Sequence, residues 1–150
     1  MATVTSVVGT RTSLTTTAMD SLASATYVSC GTLTFATNDP LDVLIECKVT
    51  PGTVSSNKQV VFFAQRSLDG TNFESGPTSG TTTTDEPDLT FIGVVPCNTN
   101  STAQTKVFSL LDALGTLPHS AKIIAKNETG AALAASGHSV YYSEVTDSIA

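Results

Sequence analysis

The chain reads as an all-β protein: a single-domain antiparallel β-sandwich, jelly-roll-like, with seven or eight strands and at most one short helical turn. Three observations predict this. Short apolar runs alternate with polar turns from one end to the other. Leu41–Thr50 (LDVLIECKVT) keeps a strict period of two. Phe63–Gly76 runs from an apolar strand into an Asp69-Gly70 turn and a small polar loop. A long mid-chain loop without internal repeats favours the jelly roll among sandwiches. At 150 residues the chain is one domain's worth and buries about two-thirds of its unfolded surface without disulfide staples.

Residues 1–20 are expected as an N-terminal arm or a first strand, and 21–150 as the sandwich. Val4, Val7, Val8 and Leu14 are the large apolar residues ahead of Met19, in a nearly charge-free stretch rich in Thr and Ser. An arm whose latter part pairs with the sheet would be free to lie on a neighbouring subunit; these four residues are the candidate partner contacts. An ordinary first strand is the competing reading.

Thr26–Ala36 (TYVSCGTLTFA) is the next strand, ended by Asn38-Asp39-Pro40, because proline lacks a ladder donor and biases its predecessor to extended geometry. Leu41–Thr50 places Leu41, Val43, Ile45, Cys47 and Val49 on one face and Asp42, Glu46 and Lys48 on the other. Pro51-Gly52 turns the chain. Lys58–Ser67 is apolar on both faces through Val60, Val61, Phe62 and Phe63, as a central strand must be. Gly76–Asp88 (GPTSGTTTTDEPD) cannot build a core and is expected as a solvent-facing loop with Thr81–Thr84 at its tip.

Leu89–Pro96 is a strand, followed by a polar loop. Gln104–Leu111 is another, passing into a single helical turn over Leu110–Leu114. Ala121–Lys126 follows Pro118, and Asn127–Gly130 turns. Ser139–Val145 is the last strand, with a frayed tail after it.

Composition narrows the function. Charged residues make up 13% of the chain, against about 25% in ordinary domains. Ser and Thr supply about three residues in ten. Strand propensity accounts for part of that, but a hydroxyl surface is also cheaper to desolvate than a charged one and suits permanent protein contacts. The net charge of −6 and seven scattered Lys and Arg leave no cluster for a phosphate backbone. No segment approaches the roughly 20 apolar residues of a membrane span. The start, Met1–Thr5, lacks the basic and apolar regions of a signal peptide, so synthesis in a cytosol is expected.

Cys30, Cys47 and Cys97 are odd in number, widely spaced and set in apolar runs, and are expected as buried free thiols. His119 and His138 have no metal-ligand spacing and are expected as exposed turn residues. Asp85, Glu86 and Asp88 flank Pro87 without calcium-loop spacing and are expected as solvated loop charges. The chain contains no Gly-x-Ser-x-Gly elbow, no phosphate loop and no Trp. Asn100-Ser101-Thr102 and Asn127-Glu128-Thr129 match the N-glycosylation pattern, a match common by chance. No cofactor, metal or catalytic residue is expected, and an enzyme is not.

Several segments carry a resemblance. Ser21–Ser24, Asn38-Asp39-Pro40-Leu41-Asp42-Val43-Leu44 and Ser67-Leu68-Asp69-Gly70-Thr71-Asn72-Phe73 resemble small virion structural proteins of tailed bacteriophages. Lys126–Leu133, Gly137 and Val140-Tyr141-Tyr142 are similar to their C-terminal end. The likeness runs from about Ser21 onward; residues 1–20 have no part in it. It implies a capsid decoration (cement) protein in the virion, a dimer or trimer bound to the major capsid protein or another virion protein. Alternatives are a tail, neck or fibre-base component, or a host-surface or glycan-binding module. Tyr27, Phe73, Tyr141 and Tyr142 are the aromatic candidates for a glycan site.

Overall fold

The computed structural model describes residues 3–54 and 58–149. Two antiparallel sheets pack face to face. Sheet A contains β1 (Val4–Val8), β2 (Thr12–Thr15), β4 (Asp42–Val49), β8 (Gln104–Ser109) and β10 (Ser139–Ile149). Sheet B contains β3 (Tyr27–Thr34), β5 (Gln59–Ser67), β6 (Ser79–Gly80), β7 (Thr90–Pro96) and β9 (Ser120–Asn127). One short helix, α1 (Leu110–Leu114), follows β8 where the sequence predicts it, and Glu86–Asp88 forms a 3-10 turn.

The order across sheet A is β1-β10-β4-β8, with β2 also on β10; across sheet B it is β6-β3-β9-β5-β7. β1 and β2 lie along one edge of β10: Val8 faces Val145 and Thr12 faces Tyr142. Gly9, Thr10 and Arg11 therefore oppose only Ser143 and Glu144, an extra residue that bulges the edge, and Gly9 N–H donates to the Glu144 carbonyl at 2.8 Å. Taking β1 and β2 as one interrupted strand and setting aside the two-residue β6 leaves eight positions. Numbered along the chain they run 1-8-3-6 in one sheet and 2-7-4-5 in the other, the interleaving of two Greek keys that defines a jelly roll.

The core between the sheets follows from the alternation read in the sequence. In β4, Val43, Ile45, Cys47 and Val49 are buried in alternate positions; Leu41 lies before the strand and is exposed. They meet Leu33, Phe35, Val60, Phe62, Ala64, Ile123 and Ala125 from sheet B, with Val140 of β10 beside them. β3 departs from strict alternation. Its register shifts between Ser29 and Gly31, and this bulge lets Cys30 and Leu33 both reach the core while Tyr27 faces out of the sandwich. All three cysteines are buried free thiols. Burial raises the Cys30 thiol to about 12 and the Cys97 thiol to about 11.

α1 is fixed at its start by two side chains. Ser109 Oγ accepts from Asp112 N–H, and the Asp42 carboxylate accepts from Leu111 N–H and Ser109 Oγ–H. Leu110 and Leu114 are thereby held over the open end of the core.

Candidate functional site

The two outer faces of the sandwich differ. That of sheet B carries a second apolar cluster, Tyr27, Val61, Phe63, Leu89 and Ile124, with Val94 packed against it. The segment Gly76–Leu89 crosses this face as a strap. Leu89 supplies an apolar plug, and Gln65 Nε2–H donates to the Gly76 carbonyl at 3.0 Å.

Glu86 ties the strap down. Its carboxylate accepts from Tyr27 O–H and from Lys126 Nζ at 2.5 Å, and Lys126 also reaches Glu128 at 3.1 Å. Desolvation pushes Glu86 upward, but the hydrogen bonds from Lys126 and Tyr27 outweigh it and hold the carboxyl below its ordinary value. Glu86 is therefore not the solvated loop charge expected beside Asp85 and Asp88; its partner lies forty positions away. The loop is half anchored: Ser79–Asp85, Pro87 and Asp88 are exposed, while Gly76, Pro77, Thr78 and Glu86 are half-buried and Leu89 is buried.

Sheet A has no such cover among the described residues. Val140 points into the core, so Tyr141, Ser143, Val145, Asp147 and Ile149 point out. Their cross-strand neighbours on the same side are Leu44 and Glu46 of β4, Val107 of β8, and Val4, Ser6 and Val8 of β1. Val8 is 60% exposed, Val107 57% and Ile149 73%. Arg11 lies over this face, its guanidinium 3.4 Å from the Tyr141 ring centre and its Nη2 2.5 Å from the Glu46 carboxylate. Val8, Leu44, Val107 and Tyr141 line a shallow hollow of about 160 Å³ beside that pair.

At one end the face runs past the body of the sandwich. β4 pairs with β10 only as far as Val145, whereas β10 continues to Ile149. Thr146–Ile149 pair with Val4–Val7 and with no other described strand, giving a two-stranded ribbon formed by both ends of the chain. The tail expected to fray is the outer half of this ribbon. All five residues of β1 are exposed, and Asp147 is the one charge.

Of the four candidate contacts, Val4, Val7 and Val8 lie in β1, Val4 and Val8 on the same side as Ile149 and Val145 and Val7 on the other. Leu14 does not join them: β2 turns it inward against the main core, beside Gly31. Ile149, Val107 and Leu44 belong to the same exposed surface as Val4 and Val8 and were missed, and Tyr141, expected only as a glycan candidate, lies there too. Val107 could have been found from its phase, since it alternates with the inward Phe108 in β8.

The other candidate groups serve the fold. His138 is buried rather than exposed: Nδ1 accepts from Thr50 N–H at 3.2 Å and Nε2–H donates to the Ala134 carbonyl at 2.9 Å, joining two loops. His119 is half-buried against Gly70 and Ser120. Asn127 is fully buried; its amide donates to the Leu22 and Ala131 carbonyls, and its oxygen accepts from Thr129 N–H and Oγ–H.

A hollow of about 640 Å³ lies near the Asp69-Gly70 turn, but its polar groups are already used. Arg66 pairs with Glu74 at 2.6 Å. Asp69 accepts from the N–H groups of Asn72 and Thr71, the Asn72 amide and Ser67 Oγ–H, which hold its carboxyl far below the usual range. Among the described residues no group of three His, Cys, Asp or Glu forms a cation cage. Of the aromatic candidates, Tyr27 is buried, Tyr141 lies under Arg11, and Phe73 lies under Lys122 at 4.5 Å.

No protein-family model, curated protein or solved structure matches this chain.

Proposed function

We propose that this chain is a non-enzymatic structural protein of a tailed-bacteriophage virion that binds the outside of the capsid shell as a decoration protein. One observation carries the docking role: the outer face of sheet A and its ribbon leave Val4, Val8, Val107 and Ile149 bare, while on the opposite outer face the strap and Leu89 cover the apolar cluster and leave Phe91 exposed. A monomer gains nothing from leaving such a face open, and contiguous exposed apolar surface marks an interaction site. The resemblance of Ser67–Phe73 and Lys126–Leu133 to phage virion proteins supports the choice of shell as partner. Low charge and abundant hydroxyls suit a contact made once and kept. Each contact is small, and repetition over a shell strengthens the binding of an oligomer through avidity.

Copy number tests the reading. Quantitative mass spectrometry of purified particles is expected to count hundreds of copies, matching shell subunits or their local symmetry axes. A count of six, twelve or eighteen would move the protein to the tail, neck or fibre base. Absence from particles would leave the host-surface or glycan-binding alternative.

A further inference from the structure

We infer that a second copy of this chain pairs with the free edge of β1, antiparallel, about a two-fold axis passing beside Ser6. The inference goes beyond the decoration reading and does not depend on it, because it concerns the free protein.

The first ground is how the sheet edges are finished. An open edge invites pairing with any other strand, and soluble proteins block it with charge, proline, bulges or brevity. Among the described residues, three of the four edges are blocked. β6 is two residues long. β7 bulges at Ile92, where Phe63 faces Phe91 but Phe62 faces Gly93, and it ends in Pro96. β8 carries the exposed Lys106 in the inward phase, opposite Cys47. β1, Val-Thr-Ser-Val-Val, has no charge, no proline and no bulge within it.

The second ground is the ribbon itself. Two strands without a third are at best marginally stable in water, yet Val4–Val7 and Thr146–Ile149 stand as such a pair. The ribbon's other edge, along Thr146–Ile149, is guarded by Asp147, whose like charge would meet its own copy there. β1 is the edge left for pairing.

The third ground is register. With Ser6 facing its own copy, Val4 of one chain faces Val8 of the other, and Thr5 faces Val7. Val4 and Val8 lie on the same side as Ile149 and Val145. Pairing therefore aligns Ile149, Val4, Val8 and Val145 from the two copies in one β-branched row, the side-chain type that packs best across strands. The arrangement is self-complementary and closed, so it ends at two chains instead of growing into a filament. The sandwich bodies lie toward opposite ends of the paired ribbons. The shared edge itself, Val4–Val8, carries no charge, and Asp147 stands opposite Ser6 one strand back, on β10.

A five-residue strand pair is small for an interface, so the mass should be followed by sedimentation over a concentration series up to the solubility limit. The wild type is expected to move from the one-chain mass of 15.5 kDa to twice that value. Ser6→Lys and Ser6→Glu, each alone, are expected to stay at one chain across the series, and an equimolar mixture of the two to regain the two-chain mass. Circular dichroism melting of both variants checks that the sandwich is intact.

Oxidative cross-linking tests the register, since antiparallel partners sit within disulfide reach. Ser6→Cys is expected to link to itself. Val4→Cys is expected to link to Val8→Cys but not to itself. A wild type that remains one chain throughout overturns the inference, as does a dimer that Ser6→Lys leaves unchanged. Loss of particle binding with the free dimer intact would instead count against the decoration role alone.

Discussion

Leu14 occupies the space that a side chain at Gly31 would need: a Cβ there would lie 2.9 Å from Leu14 Cδ1. The glycine sits in the bulge of β3 at φ +125°, a conformation that side chains rarely adopt. β2 is thereby closed over the edge of sheet B, and Leu14 is separated in role from the valines of β1. Gly31→Ala is expected to destabilise the fold by about 1–3 kcal/mol, through overpacking and backbone strain. Leu14→Ala is expected to cost about 2 kcal/mol. Val8→Asp should leave the melting temperature nearly unchanged while abolishing shell binding. Denaturant melts beside a particle-binding assay check all three; equal loss of stability for Leu14→Ala and Val8→Asp would place both in the core.

Acid should release the strap before it unfolds the sandwich. The Glu86 carboxyl is held below its ordinary value of 4.5, so its contribution is fully present above that value and is lost as the pH falls through the lower value set by the fold. Hydrogen exchange at Leu89 and Tyr27 is expected to rise below about pH 4.5 while exchange in β4 stays slow. Glu86→Gln is expected to cost about 1–2 kcal/mol at neutral pH and to flatten this acid dependence. Unchanged exchange in acid would mean that Leu89 and its apolar neighbours hold the strap unaided.

The cysteines should be silent in the native protein. Desolvation raises all three thiols, and Cys47 is raised further by Cys30 across the core and by Glu46. At pH 8 an aromatic disulfide reagent is expected to label no native cysteine at a measurable rate and three per chain in denaturant. Rapid labelling of any one would show that its part of the sandwich opens readily.

Gly93 and Phe108 close the far side of the core. A Cβ at Gly93 would overlap Phe108 Cε1, and Phe108 in turn meets Phe62 with ring centres 6.4 Å apart. Gly93→Ala is expected to cost about 1–3 kcal/mol. The double variant Gly93→Ala/Phe108→Leu should recover part of that loss, which thermal melts of the set would measure.

The sandwich was legible where a strand has one wet face and one dry. β4 announces Val43, Ile45, Cys47 and Val49 through period two alone, and β5 shows itself by being apolar on both faces. The short helix at Leu110–Leu114 was legible too, because Leu-Leu-Asp-Ala-Leu breaks the strand alternation. Residues whose meaning depends on distant partners were not. Nothing near Glu86 points to Lys126 and Tyr27, and nothing near His138 points to Thr50. Thr146–Ile149 reads as a fraying end because its pairing with Val4–Val7 joins segments far apart in the sequence. Local propensity could not distinguish an arm from a strand in β1, since an edge strand without a third neighbour has the composition of both.

Val4 faces Ile149, so the first and last described strands meet at one tip, next to the apolar row. A fluorescent tag or displayed peptide attached there would shield the surface whose contacts it was meant to report. The exposed threonines at 81–84 rise from the strap on the other sheet. A passenger inserted between Thr82 and Thr83 would leave the ribbon bare, and that site is where a cargo should be carried.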